Sequence, residues 1–253
     1  MQELNGRTAV VTGASRGIGL AIAQLLARSG VSVVLAARTT GETEAGAAGI
    51  RAAGGVAEAV ACDVSRYRDV VGAIERCRQG FGRVDILVNN AGLIDPIARL
   101  GDSDPEAWST VVDVNLKGVY HGLRAVLPVM EDQGGGVVVN ISSGAASGAL
   151  EGWSHYCSTK AAVLSLTRCA DLEYRDKGVR VVGLSPGTVA TGMQRSIKAS
   201  GINPVSQLDW EDHISPEWAA QAVAYLCTTA AADLAGTDFS LKSDEGRRRV
   251  GLI

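Results

Sequence analysis

An α/β domain with a doubly wound, seven-stranded and mostly parallel sheet is the fold this sequence predicts, on three observations. Seven short valine-rich runs alternate with longer helical patterns. Runs that are apolar throughout suit strands covered on both faces, and helical crossovers join parallel neighbours. A glycine-rich turn, TGASRGIG from Thr12 to Gly19, joins the first run to the first helical pattern. The chain has 253 residues, 46% of them hydrophobic and 20% charged, enough for one full core, and no linker divides it. Residues 1–253 are thus expected to form a single domain with helices on both faces of the sheet.

The first run, TAVVTG, enters the glycine turn, and LAIAQLLARSG behind it has helical spacing. VSVVLAAR is the second strand. TTGETEAGAAGIRAAGG, rich in alanine and glycine, reads as a loose helix and is too varied to be low complexity. VAEAVACDV and VDILVNNAG supply the third and fourth strands. The pattern AWSTVVDVNLKGVYHGLRAVLPVM is helical, but Pro128 lacks a backbone donor and is expected to bend or end it. GVVVNIS is the fifth strand, VRVVGLSPG the sixth, and GTDFSL a short seventh. Right-handed crossovers in such a sheet put ligands at the carboxyl ends of the strands, and each polar motif discussed below lies just past such a run.

The net charge of -3 and a sequence pI of about 5.7 give no global case for binding nucleic acid or acidic membrane. Arg247, Arg248 and Arg249 form a local cluster that reads as a solvated tail. Cys62, Cys77, Cys157, Cys169 and Cys227 form no Cys-x-x-Cys, and no histidine stands at metal-ligand spacing, so reduced thiols and no metal are expected. The start MQELNGRTAVVTG enters a strand at once, without the pattern of a signal peptide, and no uncharged apolar stretch has membrane-spanning length. A soluble, cytoplasmic protein is the expectation.

Tyr156 and Lys160 stand four residues apart in HYCSTKAA, thirteen residues after Ser143 (156 minus 143). Positions i and i+4 share one face of a helix. A tyrosine phenol titrates near 10 and needs a neighbouring cation to act as acid or base near neutral pH. A unit charge about 5 Å away, at an effective dielectric of about 20, is worth roughly 3 kcal/mol, or about two pKa units. Lys160 is thus expected to lower the Tyr156 pKa into working range. Ser142 is turned to the other face by strand alternation. His155, about 100 degrees around the helix from Tyr156, reads as structural or as surface. In the glycine turn, Gly13, Gly17 and Gly19 allow positive φ and close backbone approach. The helix behind it offers free N–H groups, so a diphosphate fits.

Together with Asn89-Asn90-Ala91-Gly92, Asn115, and Pro186-Gly187 before Thr191, these motifs resemble the short-chain dehydrogenase/reductase family over about residues 4 to 240. The resemblance implies a Rossmann-type dinucleotide-binding fold and hydride transfer between a nicotinamide cofactor and a carbonyl or secondary alcohol. It makes Tyr156 the proton donor and Ser143 a second hydrogen bond to the substrate oxygen. Lys160 supplies charge and binds the nicotinamide ribose. Asn115 interrupts regular helical bonding, so that a main-chain carbonyl holds a water linked to the lysine. The implied cofactor set begins with Gly13, Ser15, Arg16, Gly17, Ile18 and Gly19 in the turn. It continues with Arg38, then Asp63 and Val64 at the adenine, and Asn89, Ala91 and Gly92 by the adenosine ribose. Tyr156 and Lys160 belong to it, with Pro186, Gly187, Val189 and Thr191 around the carboxamide. NADP(H) is favoured over NAD(H): the second strand ends in Ala37 and Arg38 where an acidic residue would favour a free 2'-hydroxyl, and Arg16 with Arg38 can bracket a 2'-phosphate.

The family carries its substrate lid at about residues 192–214 of this chain. There Met193, Ile197, Ile202, Val205, Leu208 and Trp210 mix with Arg195 and Lys198, suggesting a partly apolar carbonyl substrate. Ile94, Ala145, Leu150 and Trp153 are further candidate walls. The carboxyl end, LKSDEGRRRVGLI, departs from the valine, aspartate and two glycines of many members. That questions the usual pairing of last strands between subunits and suggests an arginine-rich tail near a neighbour's active site. A homotetramer is implied by the family's helix pairing. The matching segments here carry Val111, Val112, Val119, Leu123 and Val126, then Ala161, Leu164, Leu166 and Ala170. The competing function is a dinucleotide-binding regulator or scaffold on the same fold without turnover. Keeping Asn115, Ser143, Tyr156 and Lys160 together argues against it, because a sensor needs no proton donor.

Overall fold

A computed structural model describes residues 2–253. Strand β1 (Thr8–Thr12) leads into α1 (Gly17–Arg28), β2 (Ser32–Ala37) into α2 (Thr40–Ala52), and β3 (Ala57–Ala61) into α3 (Tyr67–Phe81). After β4 (Ile86–Asn89) come α4 (Pro105–Val112), a π-helical turn (Asp113–Lys117) and α5 (Gly118–Asp132). Next are β5 (Gly136–Ile141), α6 (Ser154–Tyr174), β6 (Val179–Ser185) and α7 (Gly192–Ser200). The chain closes with α8 (Pro216–Leu226), β7 (Asp238–Ser240) and α9 (Asp244–Arg249). The sheet order is β3-β2-β1-β4-β5-β6-β7, parallel throughout. This is the doubly wound, Rossmann-type arrangement expected, with its switch point between β1 and β4.

Strand alternation divides the core between two faces. Ala9, Val11, Ile86, Val88, Val137 and Val139 pack with α1, α2 and α8, whereas Val10, Leu87 and Val138 pack with α3, α5 and α6. The glycine-rich α2 is a full helix of 13 residues. A β-carbon on Gly46 would stand 2.9 Å from the end of the Leu20 side chain of α1, which would have to shift.

Pro128 does not end its helix, which runs on to Asp132. Val126, Leu127 and Met130 are buried against the sheet on either side of it, so packing holds the last turn across the missing hydrogen bond. The tail is also not a free arm. Arg247 donates to Leu241 O (2.9 Å), Arg249 pairs with Asp233 and donates to the Tyr225 hydroxyl, and Val250 is buried in the core. Most apolar residues of α4 to α6 are consumed within the chain: Val111, Val119, Leu123, Val126 and Ala170 are buried. No described helix is long and apolar enough to cross a membrane.

Candidate active site

The glycine turn leaves β1 with Gly13 at φ +62° and Gly17 at φ +56°, the left-handed region that costs glycine least. Asn90, at the end of β4, shapes it. Its Nδ2 donates to Thr12 O (2.9 Å) and Gly13 O (3.2 Å), and its N–H donates to Thr12 Oγ1 (3.0 Å). A β-carbon on Gly19 would stand 2.4 Å from Gly13 O and 2.5 Å from Asn90 Nδ2, so only glycine fits there. Arg16 caps α1 without a side-chain hydrogen bond, leaving the first N–H groups of the helix for another acceptor. An anionic diphosphate fits such a terminus. Ser15 and Ile18 are half-buried in the same turn. The segment from Pro186 to Thr191 closes over it: Gly187 turns at φ +83°, Val189 bridges to Ile214, and a β-carbon on Gly17 would lie 3.3 Å from Thr191 Cγ2.

At the adjoining strand ends, Arg16 and Arg38 are exposed. Asp63 accepts from Ser65 N (3.0 Å) and Oγ (2.8 Å). Burial pushes the Asp63 carboxyl up, but these two bonds and the charges of Arg38 and Arg66 outweigh it and hold it below the usual range. Val64 O accepts from His121 Nδ1 (2.8 Å). The Asn89 side chain points into the sheet, where Nδ2 donates to Asn140 Oδ1 (2.9 Å). Ala91 N donates to Thr12 Oγ1 (3.2 Å), and Gly92 lies beside Asn115.

Asn115 lies inside the π-helical turn between α4 and α5, fully buried. Its Oδ1 accepts from Leu93 N (2.7 Å) and its Nδ2 donates to Leu93 O (2.8 Å), stitching the turn to the loop after β4. Three successive residues at the end of β5 carry the rest. Ile141 O accepts from Lys160 Nζ (2.6 Å), Ser142 Oγ donates to Asp238 Oδ2 (3.0 Å), and Ser143 Oγ accepts from Ala145 N (3.2 Å). Ser142 is indeed turned away from the tyrosine, as strand alternation requires. His155 is structural, fully buried with Nε2 donating to Ile94 O (2.6 Å).

The pKa pattern corrects the sequence expectation. Burial pushes the Tyr156 phenol up to about 12, against the Ser143 hydroxyl, which acts to lower it. Burial likewise pushes Lys160 down to about 8, against the carboxylate of Asp238, which acts to raise it. Desolvation is thus the leading influence on both groups. Lys160 Nζ lies 5.6 Å from the Tyr156 ring centroid and is turned to the Ile141 carbonyl.

Ile94, Ala145, Trp153, Tyr156 and Ile197 form a separate apolar cluster, with Leu150, Met193 and Val205 packed against it. Ile202 lies over Gly152 at its edge. The segment at about 192–214 is tied internally: Lys198 Nζ donates to Gln207 O and Leu208 O, and Arg195 lies 5.7 Å over the ring of Trp210. Lys198 therefore ties this segment to itself. Sequence reading missed Asn90 as the brace of the glycine turn, although it stands in the quoted motif. It also missed Asp238, which no local pattern marks.

The family model for short chain dehydrogenases matches residues 7–201. The chain belongs to that family. It is similar to cis-4-hydroxycyclohexanecarboxylate dehydrogenase of Sinomonas cyclohexanicum, 36% identical over 236 residues that cover 91% of this chain and 92% of the relative. Cyclohexanol dehydrogenase of an Acinetobacter species is 32% identical over 240 residues, 94% of each chain. Among solved structures, an NAD+-bound xylitol dehydrogenase superposes with a TM-score of 0.88 at 26% identity, covering 94% of this chain and 98% of the other. As a short-chain dehydrogenase the protein is an oxidoreductase of alcohol and carbonyl groups that works with a nicotinamide cofactor.

Proposed function

We propose that this dehydrogenase transfers hydride between NADP(H) and a carbonyl or secondary alcohol, with Tyr156 as general acid and base. The grouping of Lys160 with Tyr156 (5.6 Å from Nζ to the ring centroid), and the effect of the Ser143 hydroxyl on the phenol, carry the reading. The cofactor, when bound, supplies or accepts the hydride. As the carbonyl oxygen gains negative charge, the hydroxyls of Ser143 and Tyr156 stabilise it, and Tyr156 gives its proton. Lys160 keeps a positive charge behind the phenol. Asn115 holds the π-helical turn against the loop after β4, where its main chain can carry the water that returns a proton. The glycine turn and Thr191 hold the cofactor, and Asp63 with Val64 border its adenine.

NADP(H) preference is supported by Arg16 and Arg38, two exposed guanidinium groups past the ends of β1 and β2. The apolar cluster around Trp153, and the names of the two cyclohexane-ring relatives, support a ring-bearing secondary alcohol or ketone as substrate. Five free cysteines support a reducing, cytoplasmic setting. A homotetramer is part of the reading, supported by Tyr120 and Leu172, exposed on α5 and α6.

Tyr156→Phe tests the mechanism. Turnover of a cyclic ketone with NADPH is expected to fall 100-fold or more, with NADPH binding by fluorescence titration near its original strength. A variant keeping more than about a tenth of the rate would exclude Tyr156 as the acid.

A further inference from the structure

Lys242 opens the carboxyl segment that departs from the family pattern, just past β7. Its N–H donates to Ser240 Oγ (3.2 Å), which turns the backbone toward the strand ends. The side chain then crosses two neighbours. A β-carbon on Gly187, after β6, would touch Lys242 Cγ at 3.6 Å, and one on Gly144, after β5, would stand 2.3 Å from Nζ and 3.0 Å from Cε. A side chain at Gly144 would thus displace the ammonium. Two glycines leave the track on which the lysine lies, and the track ends beside the residue that follows Ser143. Ala145, one residue further, is buried in the apolar cluster with Tyr156 and Trp153.

Asp244 faces Arg247 (3.8 Å) and Arg248 (3.9 Å), and Asp238 accepts from Ser142. Among the described residues, Lys242 enters no ion pair. It is exposed, so its ammonium is open to a ligand. A cation beside Gly144, the residue that follows Ser143, with no carboxylate of its own, selects for an anion on whatever binds there.

We propose that Lys242 reads a carboxylate on the substrate, so that oxo acids and their hydroxy acids are preferred over neutral ketones and alcohols of the same shape. This rests on the reading of the site as a carbonyl reductase and names its substrate class. The test compares kcat/KM with NADPH for 3-oxo- and 4-oxocyclohexanecarboxylate against their methyl esters. The native enzyme is expected to prefer at least one acid over its ester by about tenfold, less at high salt. Lys242→Met is expected to bring the acid-to-ester ratio near one, and Lys242→Arg to keep most of it. Equal use of acid and ester by the native enzyme would overturn the proposal. So would a preference that survives Lys242→Met, or an effect of that variant confined to the KM for NADPH. If none of these ketones turns over, the reductase reading fails on its own account. Calorimetric binding of cyclohexanecarboxylate against cyclohexanecarboxamide, to the protein with NADP+, then decides the lysine's role. A preference for the acid that Lys242→Met removes supports it, and equal binding overturns it.

Discussion

At Lys160 the balance of burial and charge has a readable sign. Its folded pKa of about 8 lies below the ordinary value near 10.5, so raising the pH through 8 removes a charge that stands behind Tyr156. Tyr156 itself stays protonated to about 12. Carbonyl reduction is therefore expected to decline as pH rises through about 8, with the loss assigned to the lysine and not the phenol. The profile of kcat/KM for NADPH reports this, because it reads groups of the free enzyme. A flat profile up to pH 10 would refute the assignment. On the proposed NADP(H) reading, Arg38→Asp exchanges a cation for an anion past the end of β2 and is expected to shift preference toward NADH. An unchanged ratio of kcat/KM for the two cofactors would show that Arg38 faces only solvent. A charge-assisted bond to a 2'-phosphate would be worth about 1.5–3 kcal/mol, so a shift of about tenfold or more is the expected outcome.

Between elements, α5 crosses β4 at close approach. A β-carbon on Gly122 would stand 2.2 Å from Asn89 Oδ1, and Asn89 is already bonded to Asn140 of β5. Gly122→Ala is expected to cost about 1–3 kcal/mol, seen as a lower urea midpoint with an unchanged slope, since the core has no room to yield. A neutral result would mean that the helix shifts outward freely. This contact illustrates what the sequence carried and what it did not. The strands were legible because burial on both faces makes them apolar throughout, and the spacing of Ser143, Tyr156 and Lys160 was legible because it lies within one strand end and one helix. The direction of the Tyr156 shift was not legible, because desolvation depends on everything packed around the ring. Asp238 lies 96 residues beyond Ser142, and only the pairing of β6 with β7 brings it there. Pro128 misled for a similar reason: the burial of Val126, Leu127 and Met130 is decided by the sheet below them, not by the helix.

For the whole molecule, the open matter is how many copies act together. The single chain buries most of the apolar residues of α4 to α6, yet it leaves Leu172 74% exposed and Tyr120 50% exposed, which a partner's copy of the same faces would cover. Light scattering after size exclusion is expected to give about four times the 26.1 kDa of one chain, and a mass near 26.1 kDa at micromolar concentration would reject the tetramer. The brace around the glycine turn has a different consequence. Asn90 holds Thr12 and Gly13 through three hydrogen bonds made entirely within the protein. The cradle is a mould set before any dinucleotide arrives, so its contacts go into affinity instead of ordering a loop.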